Sequence, residues 1–168
     1  MTLLVTTRVL ASIVALAALI GSSSAAEKIT PTELVGSWTL VSTENTLANG
    51  TRFSPFENGK GMLVFDRTGH FSWQVLRGDI PKFTSGNRTQ GTPEELKAVA
   101  LGTLAYFGTY SVDAKSDTLT MHIEASSFAN FNGQDQIRTV TLKGDELRIE
   151  NAAGASGGTA VVTWKRLK

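Results

Sequence analysis

The sequence contains no cysteine and only two histidines, His70 and His122, among its 168 residues. Without cysteine, the chain cannot form a disulfide scaffold, a zinc ribbon, an iron–sulfur site or a thiol nucleophile. Two histidines alone cannot build a histidine-rich metal centre. We therefore expect no bound metal and no other cofactor.

An excess of charge of one sign is also missing. The chain has 16 basic and 15 acidic residues, which give a formal net charge of +1. A nucleic-acid-binding domain would carry clustered lysine and arginine in excess, so we expect no nucleic acid as a partner. The sequence also lacks a Gly-x-Ser-x-Gly elbow, a phosphate-binding loop and a His-Glu-x-x-His motif, which would each indicate a known catalytic class.

The first 26 residues differ from the rest of the chain. Arg8 is their only charge, an apolar run covers residues 9–20, and small residues follow up to Ala26. This order is typical of a secretory signal peptide, and about 12 apolar residues fall short of the roughly 20 that span a bilayer. We predict cleavage before Glu27, no membrane span in the remaining domain (residues 27–168), and a periplasmic or secreted bacterial location, because an exported chain without disulfides fits bacteria best.

Short runs rich in β-branched and aromatic residues make up most of the remaining chain, separated by Gly, Asn, Asp and Ser. They predict eight strands, over residues 37–43, 62–65, 71–76, 109–112, 118–125, 136–143, 146–150 and 159–166. Their even spacing favours an antiparallel meander that closes as a barrel or forms a sandwich. The predicted fold class is all-β, and a barrel of about eight strands has room for one small ligand.

One segment follows a helical period instead. Thr92, Pro93 and Glu95 have the spacing of an N-cap, a first-turn proline and a capping-box glutamate. Apolar residues then recur at helical spacing from Leu96 to Leu104. These signals predict one internal helix over residues 93–106, which either closes a mouth of the barrel or packs on its side.

Alternation divides each strand into two faces but leaves open which face is inside. In residues 118–126, Leu119, Met121 and Ile123 share one face, and His122 and Glu124 share the other. Either the apolar face points inward, or a helix covers it and the polar face lines a cavity. Arg138 shares a face with Val140 and Leu142. A charge on an apolar face needs a partner, which could be Glu124, an anionic group of a ligand, or solvent at a barrel mouth.

Several segments, taken in order, resemble the lipocalin-like domain found in bacterial and fungal proteins. They include Gly36-Ser37-Trp38, residues 61–69, Thr92-Pro93-Glu94-Glu95, residues 106–112, residues 142–147 and Trp164-Lys165-Arg166. The resemblance covers about residues 34–166 and implies a calycin-type antiparallel barrel. It also implies that Trp38 forms a structural floor under Arg166, as in the Gly-x-Trp signature of true lipocalins. In true lipocalins the helix follows the barrel, whereas here it is predicted between the third and fourth strands.

Small-molecule binding is the function that these observations favour. The expected partner is a small hydrophobic or amphipathic molecule with, in one version, an anionic group that faces Arg138. The candidate ligand-binding residues are Trp73, Tyr106, Tyr110, His122, Glu124 and Arg138. Two alternatives stay open. One is a small isomerase- or hydrolase-type enzyme that uses His122, Glu124 and Arg138 as acid–base and anion-stabilising groups. The other is a structural or interaction module.

Overall fold

The computed structural model describes residues 29–154 and 157–168. The predicted signal peptide, residues 1–26, lies outside the described residues. The described chain forms nine strands and two α-helices: α1 Pro31–Leu34, β1 Gly36–Thr46, β2 Arg52–Phe53, β3 Lys60–Phe65, β4 His70–Leu76, α2 Pro93–Gly102, β5 Thr103–Asp113, β6 Thr118–Ser126, β7 Asp135–Lys143, β8 Glu146–Asn151 and β9 Thr159–Arg166. A 3-10 turn, Ala129–Phe131, lies between β6 and β7.

Eight of the strands close into an antiparallel barrel. Each strand from β3 to β8 pairs with the next one along the chain, and β1 pairs with both β3 and β9. The two-residue strand β2 only extends the end of β1. The predicted all-β fold, an eight-stranded lipocalin-like barrel with one internal helix, is therefore confirmed, and closure leaves the barrel without a long free edge.

The internal helix begins at its predicted residue but ends earlier than predicted. The Thr92 hydroxyl accepts a hydrogen bond from the Glu95 amide at 3.2 Å, and the Glu95 carboxylate accepts one from the Thr92 amide at 2.9 Å. The helix stops at Gly102 because Thr103 starts β5, which pairs with β4 as far as Leu76 opposite Thr103. The apolar spacing from Leu96 to Leu104 therefore combines residues of the helix with the first residues of β5.

The two ends of the barrel differ in their connections. Tight turns join β3 to β4, β5 to β6 and β7 to β8 at one end, which we call the closed end. Longer segments join β1 to β3, β4 to β5, β6 to β7 and β8 to β9 at the other end, which we call the open end. Helix α2 belongs to the open end, and α1 precedes β1 at the closed end.

A tryptophan and an arginine meet at the closed end. Trp38 is fully buried, and the guanidinium of Arg166 lies 4.0 Å from the centre of its ring. Arg166 also donates hydrogen bonds to the carbonyls of Val35 and Glu33, at the end of α1. Gly36 has a φ of +135°, and a Cβ there would lie 3.1 Å from Arg166 Nη1. The Gly-x-Trp spacing thus gives the arginine space beside the indole.

Large apolar side chains fill the closed half of the barrel. Those with no exposed surface include Leu34, Leu63, Leu119, Met121, Ile123, Leu147 and Trp164. In β6 the apolar face therefore points inward, which decides between the two possibilities left open by its alternation. The empty space lies in the open half, where the inward positions of β1 and β9 carry smaller side chains such as Thr43 and Ala160.

Candidate ligand-binding site

The open half of the barrel contains a cavity of about 220 Å³. Strands supply its walls, and the segments of the open end surround its mouth: Pro55 and Phe56 before β3, Ala100 and Leu101 of α2, Phe128 and Phe131 between β6 and β7, and Gly154 after β8. The remaining lining residues are Thr43, Asn45, Trp73, Val75, Thr103, Leu104, Tyr106, Arg138, Asn151, Ala160 and Val162. The wall is mostly apolar with a few polar groups, the usual composition of a small-molecule site.

Aromatic rings form a continuous series from the mouth into the barrel. Phe128 meets Phe131 edge-on at 5.1 Å between ring centres, and Phe131 meets Tyr106 at 6.1 Å. Tyr106 stacks on Trp73 at 5.5 Å, with the two planes only 16° apart. Trp73 in turn abuts Trp164 of the filled half at 4.8 Å. Such offset and edge contacts hold the rings in place, so the cavity has a stiff aromatic wall.

Arg138 is the charged group of this cavity. Its side chain comes from the inward face of β7, and only 8% of the residue is exposed. One of its terminal nitrogens, Nη2, donates to Gln136 Oε1 at 3.0 Å, while Nε is buried without a partner. Among the described residues, no carboxylate lies within 4.0 Å of Arg138. The partnership with Glu124 that the sequence left open is therefore not formed.

Tyr106 lies close enough to Arg138 to be affected by its charge. Burial raises the pKa of Tyr106 to about 12, and the nearby Arg138 charge lowers it only in part. Burial disfavours the charged phenolate, so the hydroxyl stays protonated at neutral pH. Tyr106 can then donate a hydrogen bond to a group in the cavity.

Three buried polar lining residues were missed by sequence reasoning. Thr43, Asn45 and Asn151 are all at least nine-tenths buried, and their strands place them at the open half of the barrel. A register shift between Leu40 and Ser42 moves the inward face of β1 onto Thr43 and Asn45, so simple alternation from Trp38 fails there. The apolar residues Phe56, Phe128 and Phe131 were also missed, although three phenylalanines in predicted loops were a usable signal.

The structure places three of the six candidate residues away from the cavity. His122 and Glu124 lie on the outer face of β6, where His122 Nδ1 is 2.8 Å from Asp135 Oδ1. Tyr110 points inward near the closed end, packs edge-on against Phe65 at 4.7 Å and donates to the Asp66 carbonyl. The expectation that His122 and Glu124 line a pocket with Arg138 is therefore wrong. The catalytic set formed by these three residues does not assemble, because the barrel wall separates its members.

A buried glutamate fixes the mouth segment before α2. Glu95 accepts hydrogen bonds from the amide and hydroxyl of Thr84, at 2.8 and 2.9 Å, in addition to its capping contact with Thr92. These hydrogen bonds, above all the one from the Thr84 amide, hold the pKa of Glu95 below its usual value. The ionised carboxylate therefore links residue 84 to the first turn of α2, whose last turn lines the cavity.

Two further features concern residues 29–154 and 157–168. Within these ranges, none of the helices has the length and hydropathy that crossing a membrane would require. In the same part of the chain, no three side chains of the His, Cys, Asp or Glu type come together as metal ligands.

The chain is similar to one protein family and to several individual proteins. Residues 35–167 match the family model described as a lipocalin-like domain. The 4'-hydroxy-3'-methoxypropiophenone carrier protein ppsC of Aspergillus oryzae is 32% identical over 106 residues, which are 57% of this chain and 96% of that protein. A crystallised lipocalin-like protein from Bacteroides uniformis aligns with a TM-score of 0.44 at 16% identity, over 80% of this chain and 99% of its own.

A second solved structure, titled REP1-NXSQ fatty acid transporter, aligns with a TM-score of 0.39 at 12% identity, over 82% of this chain and 98% of its own. The family match spans nearly the whole described domain, from the residue before β1 to the end of β9. The chain therefore belongs to the lipocalin-like domain family.

Proposed function

We propose that this protein is an exported carrier that holds one small, mainly hydrophobic molecule in the cavity of its barrel. The observation that carries the proposal is the cavity of about 220 Å³ in the open half, with its apolar wall and its single charged group among the described lining residues. A closed barrel whose interior is only half filled leaves space for a ligand. The polar part of the ligand faces Arg138.

The size of the cavity favours a ligand with a single aromatic ring. Its volume of about 220 Å³ is larger than the roughly 150 Å³ of an apolar cavity that binds benzene. It is smaller than the roughly 300–1,000 Å³ of pockets that hold drug-sized molecules. The relative in Aspergillus oryzae is named as the carrier of a small aromatic ketone, which supports the same class of ligand. The stacked pair of Trp73 and Tyr106 offers the ring a flat contact surface.

The ligand would enter through the open end. Leu101 and Phe128 stand at the mouth with 63% and 43% of their surfaces exposed. Exposed apolar groups beside a concave site are typical of ligand-binding surfaces. A carrier needs such an opening, since it must release its ligand as well as bind it.

Two variants of neighbouring valines test the binding site. Val162 lines the cavity, and Val161 precedes it on the opposite face of β9. Val162→Phe should fill the cavity and weaken the binding of propiophenone at least 10-fold in isothermal titration calorimetry. Val161→Phe adds the same volume outside and should leave binding unchanged. Equal effects of the two variants, or no binding of any single-ring compound to the unaltered protein, would refute the proposal.

Export is tested separately, on the protein secreted by its own host. N-terminal sequencing of the mature protein should begin at Glu27, as the predicted signal peptide requires. Native mass spectrometry of the same material should show a retained small molecule as an added mass. An exported chain that begins at Met1 would contradict the predicted cleavage without affecting the binding site.

A further inference from the structure

Two residues that line the cavity carry buried hydrogen-bond donors without an acceptor. Among the described residues, four buried side-chain atoms lack a hydrogen-bond partner, and two of these, Arg138 Nε and Trp73 Nε1, belong to residues that line the cavity. Trp73 is 3% exposed and Arg138 is 8% exposed. Buried donors are nearly always paired in native proteins. Two donors without partners, on residues that line one cavity, therefore indicate where an acceptor of the ligand would bind.

The charge of Arg138 also indicates that the ligand supplies an acceptor. Arg138 alone is charged among the described lining residues, and the nearest candidate partner from the sequence, Glu124, lies outside the barrel. A buried arginine without a counter-ion is costly, and an anion in good geometry offsets that cost. Tyr106 adds no negative charge, because its hydroxyl remains protonated at neutral pH. The polar end of the cavity thus offers donors and a positive charge.

We infer that the natural ligand is a small aromatic carboxylic acid, bound as its carboxylate with the acidic group directed toward Arg138 and Trp73. This inference rests on the proposed function, because it names the chemical class of the ligand that the cavity would hold. A carboxylate brings two acceptor oxygens and a full negative charge. In this arrangement one carboxylate accepts from Arg138 and from Trp73, the two lining residues with unpaired donors, while the ring of the ligand packs along Tyr106 and Phe131.

A neutral carbonyl would satisfy these donors less well. It supplies an acceptor but leaves the arginine charge without a counter-ion. The arginine forms a charge-assisted hydrogen bond with either acceptor, but only the carboxylate also supplies the opposite charge that offsets the burial of the guanidinium. The class of ligand is therefore distinguishable by comparing compounds of the same shape that differ only in the acceptor.

The experiment uses three probes that share a phenyl-propenyl skeleton: cinnamate, cinnamamide and trans-β-methylstyrene. Isothermal titration calorimetry at pH 7 should give the tightest binding for cinnamate, about 10- to 150-fold tighter than cinnamamide, the range that one charged hydrogen bond supports. Trans-β-methylstyrene should bind most weakly. Cinnamamide binding as tightly as cinnamate would overturn the inference and leave the proposed function standing. No binding of any probe or of propiophenone would overturn both.

Two arginine variants test whether Arg138 causes the preference for cinnamate. Arg138→Met should remove the preference for cinnamate and leave the affinity for trans-β-methylstyrene within about 3-fold. Arg148→Met is the matched control, because Arg148 lies on the outer face of β8 in an ion pair with Glu150; it should keep the full preference. Loss of the preference in both variants, or in neither, would refute the assignment to Arg138.

A third variant keeps the test decisive if Arg138→Met does not fold. Trp73→Phe keeps an aromatic ring at the stacking position but removes the Nε1 donor together with part of the indole, and the apolar probe measures the loss of packing alone. It should weaken cinnamate by about 10-fold and trans-β-methylstyrene by much less. An equal loss for both probes would mean that Trp73 contributes only apolar contact, and would contradict the donor role assigned to it.

Discussion

Removal of Arg166 is predicted to destabilise the closed end of the barrel. Its guanidinium contacts the Trp38 ring at 4.0 Å and donates to the Val35 carbonyl at 2.8 Å and to the Glu33 carbonyl. A hydrogen bond from a charged donor contributes about 1.5–3 kcal/mol, and a cation–π contact about 0.5–2 kcal/mol. In the variant, water can replace part of these interactions, because the site is only half-buried. We therefore expect Arg166→Ala to lower the free energy of unfolding by about 2–4 kcal/mol.

Urea denaturation followed by tryptophan fluorescence measures this loss. Lys165→Ala is the control, because Lys165 is the exposed neighbour on the same strand; it should change stability by no more than about 0.5 kcal/mol. Arg166→Lys should give an intermediate loss, since lysine keeps the charge but lacks the planar fork that reaches two carbonyls.

A double-mutant cycle isolates the contact between the arginine and the indole. Arg166→Ala and Trp38→Leu, made singly and together, should show a coupling energy of about 0.5–2 kcal/mol, the range of a cation–π contact. A coupling below about 0.3 kcal/mol, within the usual limit of additivity, would refute the reasoning. Arg166 would then act only through the carbonyls of residues 33 and 35.

Two further predictions concern the barrel wall and the mouth. Gly108→Ala should prevent correct folding, because a Cβ there would lie less than 2.5 Å from the His122 carbonyl oxygen on β6. The loss of soluble protein and of its circular dichroism measures this. Gly133→Ala is the milder comparison, because that position has a positive φ but open space around it. Normal stability of Gly108→Ala would contradict this. The depressed pKa of Glu95 means that its contribution to stability is complete above its ordinary value of 4.5 and declines as the pH falls below it. Glu95→Gln should therefore show a smaller loss of melting temperature between pH 7 and pH 3 than the unaltered chain, and an unchanged loss would exclude the role given to its hydrogen bonds with Thr84.

The strands and the helix start were predictable because their signals are local. The capping box at Thr92 and Glu95 depends on neighbouring residues, and the structure contains both of its hydrogen bonds. The strand ends were less predictable, since pairing with a neighbouring strand extends them. Strand β5 starts at Thr103 rather than Thr109 because its first residues pair with β4. Residues 103–108 by themselves do not distinguish the start of a strand from the last turn of a helix.

The candidate site was predicted only in part, for two physical reasons. Alternation in β6 separates His122 and Glu124 from Leu119 and Met121, but it does not say which set faces inward. The closed-half core decides this, since Leu119 and Met121 have no exposed surface. The second reason is the register shift in β1, which reverses the alternation between Trp38 and Thr43. Alternation on their own strands places Trp73, Tyr106 and Arg138 on the inward face, and their role in ligand binding stays a prediction.

The large core side chains and the cavity lie in different halves of the barrel. The closed end joins its strands with tight turns and fills its interior with large side chains around Trp38 and Trp164, both fully buried. The open end joins its strands with long segments, and smaller or polar side chains such as Thr43, Asn45 and Ala160 face its interior. Arg138, which has no carboxylate partner among the described residues, therefore lies in the half with the smaller inward side chains. Under the proposed function, a substitution of Arg138 should change ligand preference, whereas a substitution beside Trp38 should change stability and leave ligand preference unaltered.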